Sequence, residues 1–185
     1  MFAAKNRAVF DVALFGSFAR GNRNARDIDL AIILTKKTKI KLKLIFAQQL
    51  KEILDKHFTL HLFDVKTFDA LDFLDPTFLA RQSIISEGYL LVQQKPAASI
   101  FGFQSFALVS YALKNLTPSQ KKMLQYALQG RRGSKGVLHE LDGERFAGNI
   151  LKVPTDKEAV LEDLLRAHYI QFSVEFVMSC GKRQK

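Results

Sequence analysis

Two short apolar runs, Ala8–Phe15 (AVFDVALF) and Ile28–Leu34 (IDLAIIL), flank a polar loop that begins Gly16-Ser17 and ends at Asp27. Runs of this length, rich in β-branched and aromatic residues and bounded by Gly, Asn and Asp, predict strands. Their closeness predicts a sheet whose first connection is a glycine turn, and the rest of the chain must build onto it. Leu42, Ile45, Phe46, Leu50, Ile53 and Leu54 recur at helical spacing with Lys and Glu between them, so an amphipathic helix is expected over about 40–56. A third strand is expected over Phe58–Val65. A helix follows over Pro76–Glu87, opened by Asp75-Pro76 and closed by Gly88, and then a last strand over Tyr89–Val92.

After Val92 the chain passes through Gln, Lys, Pro and small residues, which predicts a linker. The expected domains are residues 1–95, a linker at 96–100, a basic α+β domain at 101–180 and a basic tail at 181–185. In the second domain, Phe103–Lys114 is expected to be helical, with Phe106, Val109, Ser110 and Leu113 on one stripe. Thr117-Pro118-Ser119-Gln120 predicts a capping box opening a helix over about 118–129, with Gly130 as its stop. Residues 136–154 fit either a short helix plus strand or a β-hairpin. Thr155-Asp156-Lys157-Glu158 predicts a second capping box and a helix to about 167, and Ile170–Met178 alternates like a half-buried strand. Two helices and a short turn before a possible wing resemble a winged helix-turn-helix, although the trailing helix and strand fit that fold poorly.

Composition removes several classes. With 48% hydrophobic residues and 16 Phe among 185, the chain carries too much apolar surface to stay disordered. Its one cysteine, Cys180, excludes an internal disulfide or a cysteine metal cluster and favours a reducing compartment. No apolar stretch approaches the roughly 20 residues of a membrane span, and the N-terminus lacks the pattern of a signal peptide. A cytoplasmic protein with no membrane partner is the expectation.

The segment that carries chemistry is Gly16-Ser17-Phe18-Ala19-Arg20-Gly21, followed by Asp27-Ile28-Asp29-Leu30. A Gly-Ser turn between strand and helix lets backbone amides approach phosphate oxygens, the Ser17 hydroxyl can donate to them, and a helix N-terminus adds positive potential. Residues two apart in a strand share a face, so Asp27 and Asp29 present their carboxylates together. Carboxylates completed by substrate phosphates are what Mg²⁺ prefers. Either Asp pair or glycine turn alone is a weak signal; their joint occurrence in a strand–turn–helix–strand setting is not.

These residues resemble the nucleotidyltransferase superfamily of DNA polymerase β, and most closely its minimal nucleotidyltransferases, with their GSxARG turn and DxDL strand. The resemblance runs through about the first 93 residues. It implies an α/β (α+β) fold: a small mixed sheet with flanking helices, to which the second domain is added. It also implies Mg²⁺- or Mn²⁺-dependent transfer of a nucleoside monophosphate from an NTP, expected to be ATP, to a hydroxyl on RNA, a protein or a small molecule. Asp27 and Asp29 would hold metal, and Gly16, Ser17 and Arg20 would bind the nucleotide. Active members carry a third carboxylate on a later strand. Aligning Leu60-His61-Leu62-Phe63-Asp64-Val65 with the family's DLVDL pattern puts His61 there, and Asp64 on the second, non-catalytic Asp. Three residues apart, the two point to opposite faces unless the strand bulges. Three alternatives follow for the site: His61 as base or metal ligand, Asp64 as the true third carboxylate, or a site that binds nucleotide but has lost transfer chemistry. The rival function is a degenerate module that binds nucleic acid or a protein partner, including an antitoxin-like role.

The formal charge is +10, shared equally between residues 1–95 and 96–185. It is uneven within the second part: no Asp or Glu occurs from Gly88 to His139. Lys121 and Lys122 near the start of one helix, with Arg131, Arg132 and Lys135 in the glycine-rich loop after it, form a candidate surface for RNA or DNA. The run Lys36, Lys37, Lys39, Lys41 and Lys43 is expected to be a solvated face, and Arg23 and Arg26 a basic loop beside Asp27. His57, His139 and His168 have no metal-ligand spacing.

Overall fold

The computed structural model describes residues 2–58, 62–131 and 133–180. The chain divides into two compact units between Phe103 and Gln104.

In the first unit, a single helical turn α1 (Phe2–Lys5) leads to β1 (Val9–Phe15), the short α2 (Gly16–Ala19), β2 (Asp27–Leu34), α3 (Ile40–His57) and β3 (Leu62–Asp69). A 3₁₀ turn at Ala70–Leu74 precedes α4 (Ala80–Glu87), β4 (Tyr89–Leu90), β5 (Lys95–Pro96) and a second 3₁₀ turn at Ala97–Phe101. The strands lie in the order β3-β2-β1-β4-β5; β2 and β3 are parallel and the remaining pairs antiparallel. Parallel pairing needs a crossover, and α3 supplies it.

Alternation sorts the strand side chains between two faces. Val12, Leu30, Ile32, Leu34 and Phe63 pack with Leu50 of α3. Ala13, Phe15, Ala31, Ile33 and Leu90 pack with Ile84 of α4 on the other face. Each buried Leu or Ile contributes about 2 kcal/mol. A bulge between Val9 and Asp11 shifts the β1 register, so Val9 joins the α3 face while Asp11 stays on the α4 face with Ala13.

The expected first and second strands and the long helix are present. Of the third strand expected over Phe58–Val65, Phe58 caps α3, residues 59–61 lie outside the described residues, and the observed strand runs from Leu62 past Val65 to Asp69, carried onward by Thr67 and Phe68. α4 begins four residues later than expected, because the segment after Pro76 is turn. The linker expected at 96–100 is instead packed structure. Ala97 and Ala98 are buried, and the amide of Ala97 donates to the Gly88 carbonyl at 2.8 Å.

The second unit is a four-stranded sheet in the order β7-β8-β6-β9, from β6 (Phe103–Tyr111), β7 (Glu144–Ala147), β8 (Ile150–Pro154) and β9 (Phe172–Cys180). The helices are α5 (Pro118–Gln129), α6 (Val137–Glu140) and α7 (Glu158–Ala167). The helix expected over Phe103–Lys114 is a strand. Ala107, Val109 and Tyr111 are buried at a period of two, and pairing with β8 outweighs the helical reading of the same apolar residues. They form one core with Leu151 and Val153 of β8, Leu124 and Leu128 of α5, and Leu161 and Leu165 of α7. A single four-stranded sheet packed through this core against α5 and α7 replaces the winged helix-turn-helix resemblance.

The capping box at α5 forms as expected, with the Gln120 amide donating to Thr117 Oγ1 and the Thr117 amide to Gln120 Oε1. The second does not. Thr155 is buried in a 3₁₀ turn, with its Oγ1 lacking a hydrogen-bond partner among the described residues, and α7 starts at Glu158. Residues 136–154 combine both expected alternatives, a turn of helix followed by the β7–β8 hairpin.

The basic loop after α5 closes on itself. Ser134 Oγ accepts from the Arg131 amide at 3.0 Å and donates to the Arg131 carbonyl at 2.7 Å. Gly130 has φ of +87°, and a Cβ there would collide with the Ser134 carbonyl. Among the described residues, no helix is long and apolar enough to cross a membrane.

Candidate active site

β1 ends at Phe15, whose partner across the ladder is Asp29. Gly16 then turns the chain at φ of +75°, directly over that strand: a Cβ on Gly16 would collide with Asp29 Oδ2. The left-handed backbone and the missing side chain are both required at this position. α2 is a single turn, held by the Arg20 amide on the Gly16 carbonyl, and the Asn22 amide closes the loop on the Ser17 carbonyl at 3.1 Å. One turn is too short to sum the dipole expected from a helix N-terminus. Phosphate contacts at Gly16 and Ser17 would have to come from local amides and the hydroxyl.

Asp27 opens β2 and is exposed; Asp29, two residues on along the same face, is half-buried. In the parallel ladder Asp29 stands beside Asp64 and Asp27 beside Leu62, so Asp64 shares the carboxylate face. Adjacent strands lie about 4.8 Å apart. Burial, and then the charges of Asp27 and Asp64, hold the Asp29 carboxyl above its ordinary value; Lys66 and Arg20 pull it part of the way back. His61 lies outside the described residues.

Sequence reasoning missed Lys66. Its Nζ lies 2.8 Å from Asp64 Oδ2, and that hydrogen bond leads the influences that push the Lys66 ammonium upward, with Asp29 and Asp27 adding to them. The available signal was the Asp64-x-Lys66 alternation, legible only once the strand is known to run on to Asp69. Arg20 is engaged with Glu87, Nη1 to Oε2 at 2.7 Å, where the Glu87 side chain is 6% exposed. It ties the motif turn to the last turn of α4.

Among the described residues, no three His, Cys, Asp or Glu side chains form a ready-made metal cage. The donor set nonetheless fits Mg²⁺ or Mn²⁺. It offers hard carboxylate oxygens, crowded enough that like charge raises Asp29, and a small dication held by one or two carboxylates takes its remaining ligands from substrate phosphates and water.

In the second unit, Lys121 and Lys122 lie on the first turns of α5, and both are exposed, as are Arg131 and Lys135. Arg131 and Lys122 stand over the Tyr126 ring at 5.0 and 5.9 Å. Arg132 lies outside the described residues.

No curated protein sequence matches the chain. A solved structure described as a mutant of the toxin-antitoxin MntA-HpeT is similar to it, with a TM-score of 0.36 and 16% identity, over 67% of this chain and 84% of that one. The model of the polymerase beta nucleotidyltransferase family matches residues 1–97, the span holding the glycine turn and the three aspartates. The chain belongs to the polymerase beta nucleotidyltransferase family.

Proposed function

We propose that the first unit transfers a nucleoside monophosphate from an NTP, ATP by preference, to a hydroxyl acceptor on RNA, protein or a small molecule. The observation that carries this reading is Asp64 beside Asp29 in register, which brings three carboxylates to one face under the glycine turn. A degenerate binding module would have no need of the third.

Asp27 and Asp29 would hold the divalent ion, which neutralises triphosphate charge and polarises the α-phosphoryl group when bound. Gly16 and Ser17 receive the triphosphate, the glycine by offering backbone with no side chain in the way. Arg20 contributes positive potential from its seat on Glu87. Lys66 leaves Asp64 for the incoming triphosphate, which frees the Asp64 carboxylate to accept the proton of the attacking hydroxyl. The acceptor oxygen bonds to the α-phosphorus, the bond to the β-phosphate bridging oxygen breaks, and pyrophosphate leaves.

The test is incubation with each α-labelled NTP, Mg²⁺ or Mn²⁺ and total RNA, reading labelled RNA and labelled protein together. Asp27→Ala with Asp29→Ala is expected to abolish label transfer. Unchanged labelling would sink the assignment.

A further inference from the structure

We propose that the second unit binds single-stranded nucleic acid, seating one nucleotide in a cationic cleft beside α5. The cleft has a volume of about 460 Å³ and arises from the sheet itself. β7 is an edge strand whose Arg145 pairs with the buried Leu151, so Arg145 shares the inner face of the sheet. On that face the residues of β6 and β8 are buried with α5 and α7, whereas β7 is exposed along its length. Leu124, Leu128 and Leu138 form an apolar floor, and Lys121, Lys122 and Arg145 stand around it.

Among the described residues, no Asp or Glu lines the cleft. Glu144, next to Arg145, points to the opposite face, where Lys152 holds it at 3.2 Å. Tyr111, 7% exposed, accepts a hydrogen bond from Arg145 Nη2 at 3.3 Å, which orients the guanidinium and leaves the phenol proton to donate.

Two features choose the ligand. An apolar floor ringed by three cations suits a molecule with a flat uncharged part and an attached phosphate. The positive charge then continues past the cleft, through Lys122 and Arg131 flanking Tyr126 to Lys135 in the closed loop. A free mononucleotide would use the cleft and leave this track empty, whereas a strand uses both. A duplex keeps its bases paired inward and cannot fill the floor.

The test is fluorescence anisotropy of the full chain with a labelled single-stranded oligoribonucleotide of about a dozen nucleotides, across a salt series. EDTA is present and NTP absent, so the result is independent of the transfer reaction. Binding is expected to weaken linearly in log salt. Lys121→Gln, Lys122→Gln and Arg145→Gln together should weaken it at least about tenfold and lower the slope by about 2. Lys36→Gln, Lys37→Gln and Lys39→Gln in the first unit should leave affinity and slope unchanged. Circular dichroism monitors folding; should the triple variant unfold, Lys121→Gln with Lys122→Gln, both exposed on α5, carries the test with half or more of the loss. A deoxy strand of the same sequence separates RNA from DNA, and binding of either supports the proposal. It is overturned if the full chain binds neither strand, if the cleft variants bind as the parent does, if duplex binds as tightly as single strand, or if ATP competes at equal phosphate concentration.

Discussion

Asp11 and Asp29 sit on the same face of the β1–β2 ladder, toward its two ends, and they illustrate two opposite uses of a carboxylate. Asp11 is fully buried, and its oxygens accept from the amides of Val12, Val92 and Gln93 and from the Gln93 side chain. Every lone pair faces a donor, and the turn joining β4 to β5 is pinned to β1. Asp29 is less buried yet worse placed, with Asp27 and Asp64 as its like-charged neighbours. A carboxylate surrounded by donors builds the fold; one crowded by other carboxylates, whose charge Lys66 and Arg20 offset only in part, is suited to taking up a further cation. Degree of burial alone would have ranked them the wrong way round as candidates for function.

Exchanging the two chemistries is the strongest way to break this comparison. Asp29→Asn should lower nucleotidyl transfer by about 10³-fold, since charge stabilisation at the reacting phosphoryl group is lost while the strand is kept. Asp11→Ala should cost about 3 kcal/mol of stability, because the buried amides of Val92 and Gln93 lose their acceptor, and should leave transfer intact below the melting transition. Chemical denaturation beside a label-transfer assay reads both, and a pattern reversed between the two variants would end the distinction.

Lys66→Met sharpens it. Removing the ammonium takes away one of the two influences that hold Asp29 down, so the pH below which protonation of this metal-holding carboxylate suppresses transfer should move upward. No shift, or a shift to lower pH, would place Lys66 outside the site.

The smallest effect is on stability. Because the folded state raises Asp29 above its ordinary 3.8, the native protein holds more protons than the unfolded chain between the two values. Stability therefore falls as pH rises through that window and stays lowered above it. Asp29→Asn should accordingly melt higher than the parent at neutral pH, with the gap closing below the unfolded value. Parallel melting curves at every pH would contradict the sign.

The glycine turn and the Asp27/Asp29 pair were legible in the sequence because both depend on local geometry: one positive φ and one period of two. The placement of Asp64 was not. It depends on how strand β3 registers against β2, and register is set by partners distant in the chain. Ending the strand at Val65 hid the continuation through Lys66 and Thr67 to Asp69. The same limit applies to Phe103–Tyr111, whose apolar residues satisfy a helical stripe and an alternating strand equally until β8 is present to pair with it. Asp11 left no trace beyond a lone acid in an apolar run, since its donors come from a turn some eighty residues on. The α5 capping box succeeded for the converse reason: all its partners lie within three residues of each other.

The closed loop after α5 keeps its shape through Gly130, Ser134 and the peptide groups of Arg131, none of which involves the guanidinium of Arg131 or the ammonium of Lys135. Scaffold and charge are thus written in different letters. Residues 131 and 135 can be exchanged to retune attraction for a polyanion while the ring stays closed, whereas any side chain at 130 would spring it open. The loop is an interchangeable cartridge on a rigid mount, and its charge can be rewritten without reopening the question of how the domain folds.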